Sequence, residues 1–530
     1  MSAAFDAIVI GAGANGLVAA AALARTGLRV QLLERSASTA GQASVHEFAP
    51  GFRAAPLAFD AGWVPPAVAR ALELDSVDRV LPETPCSVAV GPRELLPLSR
   101  DPVRAAAAIR RHSDRDADQW PAFLTQLHTL AGFLQLLYSL PPPDIGSTSP
   151  RDAWPLLGVA RRFRALGRVA MTDLMRIAPM SVAQLAEEWF VAAPLRATVA
   201  AAGVQDIRHG PRAGGTGFVL LHQHAGAPVA ALRGRGVWRL GPDAFAIAAE
   251  AAARRRGVAI RTGATVARIT VRDDSVSGVV LADGTDVSAP LVLSAADPAH
   301  TLLRLIEPVW LDPELLLAIR NIRLRGCTAI VLYAMDALPE FGYAGSGTAD
   351  ALRGIISLSR EVDALERAAD AVKYGLLSER PHIEVTAPTL HWPALAPAGK
   401  HVLVARVHYA PYRLRDGGVW NSALADTLAE RVTATIDAAA PGFAARVLHR
   451  AVLTPHDIEQ HFGVTEGAVT HAELALDQIL FMRPAPGLGR YATPLDGLFL
   501  CGAGTHPGPG VPGGPGWLAA QRALASRVGR

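Results

Sequence analysis

A glycine-rich turn between a short apolar strand and an alanine-rich helix is the feature that most restricts how this chain can fold. Residues 5–10 have the composition of a buried strand, and residues 11–16 follow with the spacing GxGxxG. A helix is then predicted, and a second strand over residues 29–33 ends at Glu34. This order of strand, turn, helix, strand and acid predicts a βαβ unit that binds a dinucleotide.

Each position of the turn has a physical reason for its residue type. Gly11 permits the tight turn, Gly13 lets the backbone approach a pyrophosphate, and Gly16 lets the helix pack on the sheet. The helix begins near Ala14 and Asn15, where its free N–H groups can bind the phosphates. The turn is therefore predicted to hold the pyrophosphate of the dinucleotide.

The acid after the second strand narrows the choice of dinucleotide. Glu34 can accept a hydrogen bond from a ribose 2′-hydroxyl, which favours NAD or FAD over NADP. Small residues follow it up to Gly41 and Gln42, and this run resembles the second glycine motif of the amine-oxidase and phytoene-desaturase flavoproteins. That motif normally begins with a pair of glycines, and here Ala40 replaces the first. Alanine fits this position if its φ angle is negative.

A second glycine-rich element lies near the end of the chain. Residues 497–502 are predicted to form a buried strand, residues 503–514 a Gly/Pro loop, and residues 515–525 a helix. Glycine lets such a loop approach a ligand closely. The segment 498–513 closely resembles the C-terminal signature of the phytoene desaturase-like FAD-dependent oxidoreductases. That group includes the carotenoid desaturases, retinol saturase and the pyridine nucleotide-disulfide oxidoreductase domain-containing protein 2 branch.

The resemblance implies a flavin cofactor and names the residues that hold it. Residues 455–459 and 477–484 also resemble this family, in which FAD is bound non-covalently and the last helix points its N-terminus at the flavin. Val266 matches a valine that contacts the adenine through its backbone, although a plain structural strand is the alternative. The cofactor-binding residues predicted from the motifs and the resemblance are Gly11, Gly13, Ala14, Asn15, Gly16, Glu34, Arg35, Gly41, Gln42, Val266, Gly502, Gly504, Val511 and Gly513.

The predicted fold class is α/β, with a Rossmann-type FAD-binding domain and an interleaved substrate domain of mixed sheet plus helices. By resemblance, the FAD-binding domain consists of residues 1–75, 236–300 and 466–530. Residues 76–235 are predicted to form a helical cap on the substrate side. Residues 301–465 are predicted to form a substrate-binding sheet with helices.

One segment departs from the family pattern. Family members usually carry a Gly-Gly-Met or similar run before the middle helix, where this chain has Arg233, Arg235 and Trp238. The two arginines and the tryptophan either reshape the substrate side of the site or belong to a solvated loop.

His506 is the candidate catalytic residue. A flavin carries the redox step itself, and the protein supplies orientation, exclusion of water and sometimes an acid or base. The resemblance places the loop of His506 beside the flavin, and a histidine suits acid–base work near neutral pH. The alternative is that its ring braces the loop. His222 and His224 alternate as they would in a strand, so a metal pair there is a second alternative, but no metal site is predicted.

Three functions remain open from the sequence. The first is an FAD-dependent oxidoreductase that desaturates, saturates or isomerises a C–C bond of a lipophilic, isoprenoid or polyene substrate, by hydride transfer to flavin N5. The second is an amine or amino-acid oxidase, which would need an aromatic cage, whereas only 6% of the residues are aromatic. The third is a flavin-binding partner protein without turnover. A lipophilic substrate predicts that the protein pellets partly with liposomes or binds detergent. If the protein ignores liposomes and its cavity is lined by charges, an amine or an acid is favoured as substrate instead.

Composition narrows the partners and the compartment. The net charge is +3 with no basic block, which argues against nucleic acid. Three scattered cysteines are too few for a disulfide framework and favour a reducing compartment, so a cytoplasmic protein is expected. Residues 123–140 have helical spacing and predict a core or substrate-tunnel helix rather than a membrane anchor. Peripheral membrane contact stays open, and the oligomeric state is not predicted.

Overall fold

The computed structural model describes residues 5–74, 78–143, 150–342 and 348–528. Its strands are β1 (Ala7–Ile10), β2 (Val30–Leu33), β3 (His46–Ala49), β4 (Phe52–Ala54), β5 (Arg79–Val80), β6 (Cys86–Gly91), β7 (Glu94–Leu98), β8 (Val237–Trp238), β9 (Ala259–Arg261), β10 (Val266–Arg272), β11 (Ser275–Leu281), β12 (Asp286–Ser288), β13 (Val292–Ser294), β14 (Thr328–Met335), β15 (Ile355–Ser357), β16 (His382–Thr386), β17 (His401–His408), β18 (Val447–Leu453) and β19 (Leu498–Leu500). Its α-helices are α1 (Ala14–Ala24), α2 (Pro66–Leu72), α3 (Pro102–Arg110), α4 (Asp114–Tyr138), α5 (Pro150–Ala165), α6 (Gly167–Ile177), α7 (Val182–Trp189), α8 (Ala193–Ala202), α9 (Thr216–His224), α10 (Ala244–Arg255), α11 (Pro313–Arg320), α12 (Thr348–Ala351), α13 (Val362–Lys373), α14 (Ser422–Ala439), α15 (Pro455–Phe462) and α16 (Gly514–Val528).

Five parallel strands form the first sheet, in the order β19-β13-β1-β2-β9. Helices α1, α10 and α16 pack on one face, and the β10–β12 meander packs on the other. The strand order reverses between β1 and β13, and ligands of such sheets bind beyond the carboxyl ends of the strands at this point. The predicted α/β fold with a Rossmann-type nucleotide-binding sheet is confirmed.

A second sheet of seven strands has the order β18-β14-β17-β16-β15-β6-β7. All its pairs are antiparallel except β15 with β6, so the sheet is mixed, as predicted. Helix α14 packs on one face, and α15 with the β3–β4 hairpin packs on the other. Strands β6 and β7 come from the segment that was predicted to be a helical cap. These residues form strands because β6 pairs with β15, which lies more than 250 residues further along the chain, and β7 pairs with β6.

Helices α3, α4, α7, α8, α9 and α13 share one further apolar core and form a helical layer beside the two sheets. The predicted helix over residues 123–140 is the second half of α4, and its leucines Leu127, Leu130 and Leu134 are buried in that core. Within the described ranges, no helix is long and apolar enough to cross a bilayer.

The strand predicted around His222 and His224 is wrong, because both residues lie in helix α9. Every residue of α9 is buried. A segment buried on all sides carries no periodicity that could distinguish a helix from a strand.

Ala40 adopts a backbone conformation that the sequence analysis did not expect. Its φ angle is +88°, in the left-handed region, so the condition under which alanine would fit there without strain is not met. The N–H of Ala40 donates to the carbonyl of Ala12 at 3.0 Å, and this bond ties the second glycine motif to the first. The alanine therefore keeps a strained angle because the contact with the first motif requires it.

Replacing Ala40 by glycine is expected to stabilise the protein by about 1 kcal/mol, because glycine adopts a positive φ without a steric cost. Thermal and chemical unfolding of the A40G variant would measure this. Ala43→Gly is the matched control, since Ala43 lies in the same segment without a positive φ and should lose stability instead. Equal effects of the two changes would contradict the strain at Ala40.

Candidate active site

One cavity of about 640 Å³ is lined by residues from both sheets. It extends from the turn after β1 to the C-terminal loop and to β17 of the seven-stranded sheet. The predicted cofactor-binding residues that line it are Gly11, Gly13, Ala14, Asn15, Gly16, Glu34, Arg35, Gly41, Gln42, Val266 and Val511. The predicted residues that do not line it are Gly502, Gly504, Gly513 and His506.

The start of α1 forms a cradle of backbone donors at one end of the cavity. Gly13 precedes the helix, no side chain caps it, and the first turn carries no acidic residue. A Cβ atom at Gly16 would lie 1.9 Å from the carbonyl oxygen of Gly11, so only glycine lets the helix approach the turn this closely. The open N–H groups and the helix dipole suit a pyrophosphate, so the residues fit the predicted dinucleotide.

Glu34 lies beside this cradle at the end of β2 and is 7% exposed. The N–H of Ala12 donates to its Oε2 at 2.6 Å, and the N–H of Ser36 donates to its Oε1 at 2.8 Å. Each carboxylate oxygen can accept a further hydrogen bond. The carboxylate is therefore fixed in place with acceptor capacity left for ribose hydroxyls.

Three other predicted residues line the same end of the cavity. Val266 begins β10, and the register between β10 and β11 shifts just after it, which interrupts the regular pairing beside the cavity. The Arg35 guanidinium donates to the carbonyls of Gln460 and His461. Gln42 donates to the carbonyl of Val469 at 3.0 Å. Arg35 thus joins the first glycine motifs to the end of α15, and Gln42 joins them to the segment after that helix.

The C-terminal loop closes the cavity from the other side. Its residues 508–512 line the cavity, whereas Gly502 and Gly504 pack behind it, where a Cβ atom would meet Ala295 and Pro298. Gly513 also supports the loop, because its N–H donates to the Asn15 side chain at 3.0 Å. The sequence motif predicts that the loop lies at the site, but it does not distinguish the residues that line the cavity from those that support the loop.

His506 points away from the cavity and into the helical layer. Its Nε2 donates to the carbonyl of Leu137 at 3.1 Å, and the ring is 1% exposed. Nδ1 is buried and has no hydrogen-bond partner among the described residues. Burial lowers the pKa of His506 to about 4. The ring is therefore neutral at physiological pH and holds the loop against the end of α4.

Two more buried groups anchor the same loop. Tyr138 donates to Nδ1 of His222 at 2.7 Å, and Nε2 of His222 donates to the carbonyl of Pro509 at 2.8 Å. Arg483 donates to five backbone carbonyls, among them that of Ala503, and burial lowers its pKa to about 9. Nothing in the sequence pattern marks these roles, since they depend on which carbonyls the fold leaves without partners.

The other end of the cavity carries charged groups that were not predicted as site residues. Arg235 donates to Asp60 at 2.7 Å, to Gln223 at 2.9 Å and to the carbonyl of Gly510 at 3.4 Å, and it is 4% exposed. The solvated-loop alternative for the Arg233–Arg235 segment is therefore wrong. Arg235 instead ties this end of the cavity to the C-terminal loop.

A second buried arginine lines the same end. Arg406 in β17 forms an ion pair with Asp206, and its guanidinium lies over the ring of Phe59, 4.4 Å from the ring centre. A cation over an aromatic face is favourable, and more so where water is excluded. Arg406 was missed because it lies in a strand that predicted only sheet structure.

A cluster of His382, Glu384 and His408 lies beside Arg233, and the side-chain atoms that could bind a metal are within 4.8 Å of one another. Arg233 donates to both oxygens of Glu384, and all four side chains are buried. The Arg233 guanidinium already neutralises the carboxylate, so a metal cation would add uncompensated charge in a dry site. The arrangement is a buried ion pair flanked by histidines.

Comparisons with known proteins identify the class of this site. The family model of the NAD(P)-binding Rossmann-like domain matches residues 9–63, and that of the flavin containing amine oxidoreductases matches residues 222–524. The chain is 33% identical to the pyridine nucleotide-disulfide oxidoreductase domain-containing protein 2 of Rattus norvegicus, over 97% of this chain and 92% of that protein. It is 24% identical to a phytoene desaturase of Fusarium fujikuroi, over 95% of this chain and 86% of that protein.

A solved structure shares the fold. Cyclohexylamine oxidase from Brevibacterium oxydans aligns with a TM-score of 0.58 at 14% identity, over 99% of this chain and 100% of that one. Fold, cradle and matches together define an FAD-dependent oxidoreductase. The chain belongs to the flavin-containing amine oxidoreductase family, and the resemblance to the phytoene desaturase-like members is confirmed. FAD supplies the oxidation–reduction chemistry when it is bound.

Replacing Glu34 by alanine is expected to weaken FAD binding by about 1–3 kcal/mol, because hydrogen bonds to the ribose are lost and the N–H of Ala12 loses its acceptor. Titration of the FAD-free protein with FAD would measure the change. Glu47→Ala is the control, since Glu47 is an exposed glutamate and does not line the cavity. Unchanged FAD affinity in E34A would show that Glu34 does not hold the ribose.

Replacing His506 by glutamine is expected to loosen FAD while leaving the rate of flavin reduction in FAD-saturated protein nearly intact. With a pKa of about 4, the ring stays neutral from pH 5 upward, so its titration cannot shape the pH–rate profile between pH 5 and 9. Stopped-flow reduction across this range would test both points. A loss of about 10²-fold or more in rate, with FAD affinity unchanged, would identify His506 as an acid or base instead.

Proposed function

We propose that this FAD-dependent oxidoreductase acts on a C–C bond of a largely apolar small molecule, of isoprenoid or polyene type, by desaturation, saturation or isomerisation. The observation that carries the proposal is that the buried charges at the substrate end of the cavity are paired, Arg235 with Asp60 and Arg406 with Asp206, so this lining offers no unpaired charge to an amine or an acid. An amine substrate is the main competitor.

The arginines disfavour an ammonium group. A protonated amine would have to leave water for a buried site and would need a carboxylate there to compensate its charge. Each guanidinium is already paired with an aspartate, Asp60 or Asp206, so neither carboxylate is left to receive the cation.

The aromatic residues that line the cavity also favour C–C bond chemistry over amine oxidation. An amine oxidase was expected to need an aromatic cage around the amine, and no tyrosine of the described chain lines the cavity. Two of the aromatic residues that line it, Trp238 and Phe245, stack on each other at 5.7 Å and belong to the core beside the nucleotide sheet. Phe59 at the substrate end lies under the Arg406 guanidinium.

The similarity to a phytoene desaturase over nearly the whole chain supports the same choice. The phytoene desaturase relative matches nearly the whole chain, whereas the amine oxidase structure shares the fold at 14% identity. In the proposed enzyme, residues 1–75, 236–300 and 466–530 form the FAD-binding domain. Residues 301–465 form most of the substrate sheet, to which β6 and β7 add two strands. His506 serves as a brace of the C-terminal loop.

The test is anaerobic flavin spectroscopy on FAD-loaded protein with a panel of phytoene, a shorter isoprenoid, cyclohexylamine and putrescine. An isoprenoid is expected to bleach the oxidised flavin, or a polyene to reoxidise flavin that dithionite has reduced. These two arms cover desaturation and saturation.

Protein stripped of FAD serves as the control for light scattering by the lipids. Fast bleaching by either amine would overturn the proposal in favour of an amine oxidase. A flavin that exchanges electrons with no member of the panel, together with isoprenoid and polyene probes that chromatography shows to be unisomerised, would favour a flavin-binding protein without turnover.

A further inference from the structure

We propose that the substrate carries an uncharged oxygen acceptor, of which a carbonyl is the best match, and that Arg406 and Gln205 bind it. The inference rests on the proposed function. It narrows the substrate from an apolar molecule to an apolar molecule with one such group.

Arg406 has donor capacity that the protein does not use. A guanidinium offers five N–H groups. Among the described residues, Asp206 is the one ion-pair or hydrogen-bond partner of Arg406, and Nε is buried without any partner. The side chain is 4% exposed and lines the cavity. Nε has no surface open to the cavity, so the donors available to a ligand are the terminal N–H groups of the guanidinium that Asp206 leaves unused. A buried donor without an acceptor is costly, so these groups favour an acceptor on a ligand.

Gln205 supplies a second donor at the same place. It precedes Asp206 in the chain, lines the cavity and is 6% exposed. Its Oε1 accepts from Arg233 at 3.3 Å. Because a guanidinium can only donate, this contact fixes the orientation of the amide and leaves the NH₂ group as a donor without a partner in the described part of the chain.

Arg235 shows the contrast. Its guanidinium already donates to Asp60, Gln223 and the carbonyl of Gly510, so little capacity is left for a ligand. Its contacts instead hold the substrate end against the C-terminal loop. The hydrogen-bond donors that remain available to a ligand at this end of the cavity therefore belong to Arg406 and Gln205.

The charges around this end of the cavity are paired, and they therefore favour an uncharged group on the substrate. Arg406 is balanced by Asp206, Arg235 by Asp60, and Arg233 by Glu384. A carboxylate would add an uncompensated charge to a buried site, and an ammonium would offer donors where acceptors are needed. A carbonyl oxygen accepts two hydrogen bonds, donates none and adds no charge.

The position of Arg406 suits a residue that determines specificity. It lies near the end of β17, where it is paired on both sides with β14 and β16, and its guanidinium is confined by Phe59 and Asp206. A donor held on a central strand keeps its direction better than one on a loop.

The experiment titrates FAD-loaded protein with five probes on one C15 skeleton: farnesal, farnesol, farnesoic acid, farnesylamine and farnesene. Perturbation of the bound flavin's absorption gives each dissociation constant. Farnesal is expected to bind at least 10-fold more tightly than the hydrocarbon farnesene, and more tightly than the acid and the amine.

Three variants test the named residues. Arg406→Met and Gln205→Leu are each expected to reduce the preference for farnesal over farnesene to about 3-fold or less, while Arg406→Lys retains part of it. Gln205→Leu covers the case in which loss of Arg406 impairs folding, since it leaves the Arg406–Asp206 pair intact. Arg325→Met, an exposed arginine outside the cavity, is the control and should keep the full preference.

The outcomes separate this inference from the proposed function. Equal binding of farnesal and farnesene by the unaltered protein, or a full preference in Gln205→Leu, would overturn the oxygen site and leave the C–C chemistry standing. Farnesylamine as the tightest probe would overturn the proposed function itself. Tightest binding of farnesoic acid would overturn only the uncharged character of the group.

Discussion

The contact between the first turn of α1 and the C-terminal loop is the constraint on which the site depends. The N–H of Gly513 donates to the side chain of Asn15, and Gly516 lies so close to the Asn15 carbonyl that a Cβ atom there would be 2.0 Å away. This contact joins two parts of the chain that lie 498 residues apart. It fixes the position of the pyrophosphate cradle relative to the loop that closes the cavity.

The loop itself is held from behind by buried polar groups rather than by apolar packing alone. His506 donates to Leu137, His222 donates to Pro509, and Arg483 donates to Ala503 among other carbonyls. A loop rich in glycine and proline leaves many backbone carbonyls without partners, and buried carbonyls need donors. The neutral histidines and the arginine therefore serve the cofactor site by stabilising its backbone.

The two ion pairs that line the cavity affect its polarity more than the stability of the fold. A buried ion pair contributes little net stability, because desolvation offsets much of the attraction between the partners. The Arg235–Asp60 and Arg406–Asp206 pairs are therefore better understood as devices that set the polarity of the cavity. They keep its net charge near zero, and at Arg406 they leave directed donors.

The sequence by itself determined the nucleotide-binding half of this protein. The spacing of Gly11, Gly13 and Gly16 and the position of Glu34 are local, so the βαβ unit and its FAD-binding cradle could be predicted from the residues. The sequence did not determine the φ angle of Ala40, the strands β6 and β7, or the helix around His222, because contacts with distant segments override local preference there. Only the tertiary structure decided which charged and amide side chains line the same cavity as the cradle, since Asp60, Gln205, Arg235 and Arg406 come from segments that lie far apart in the chain.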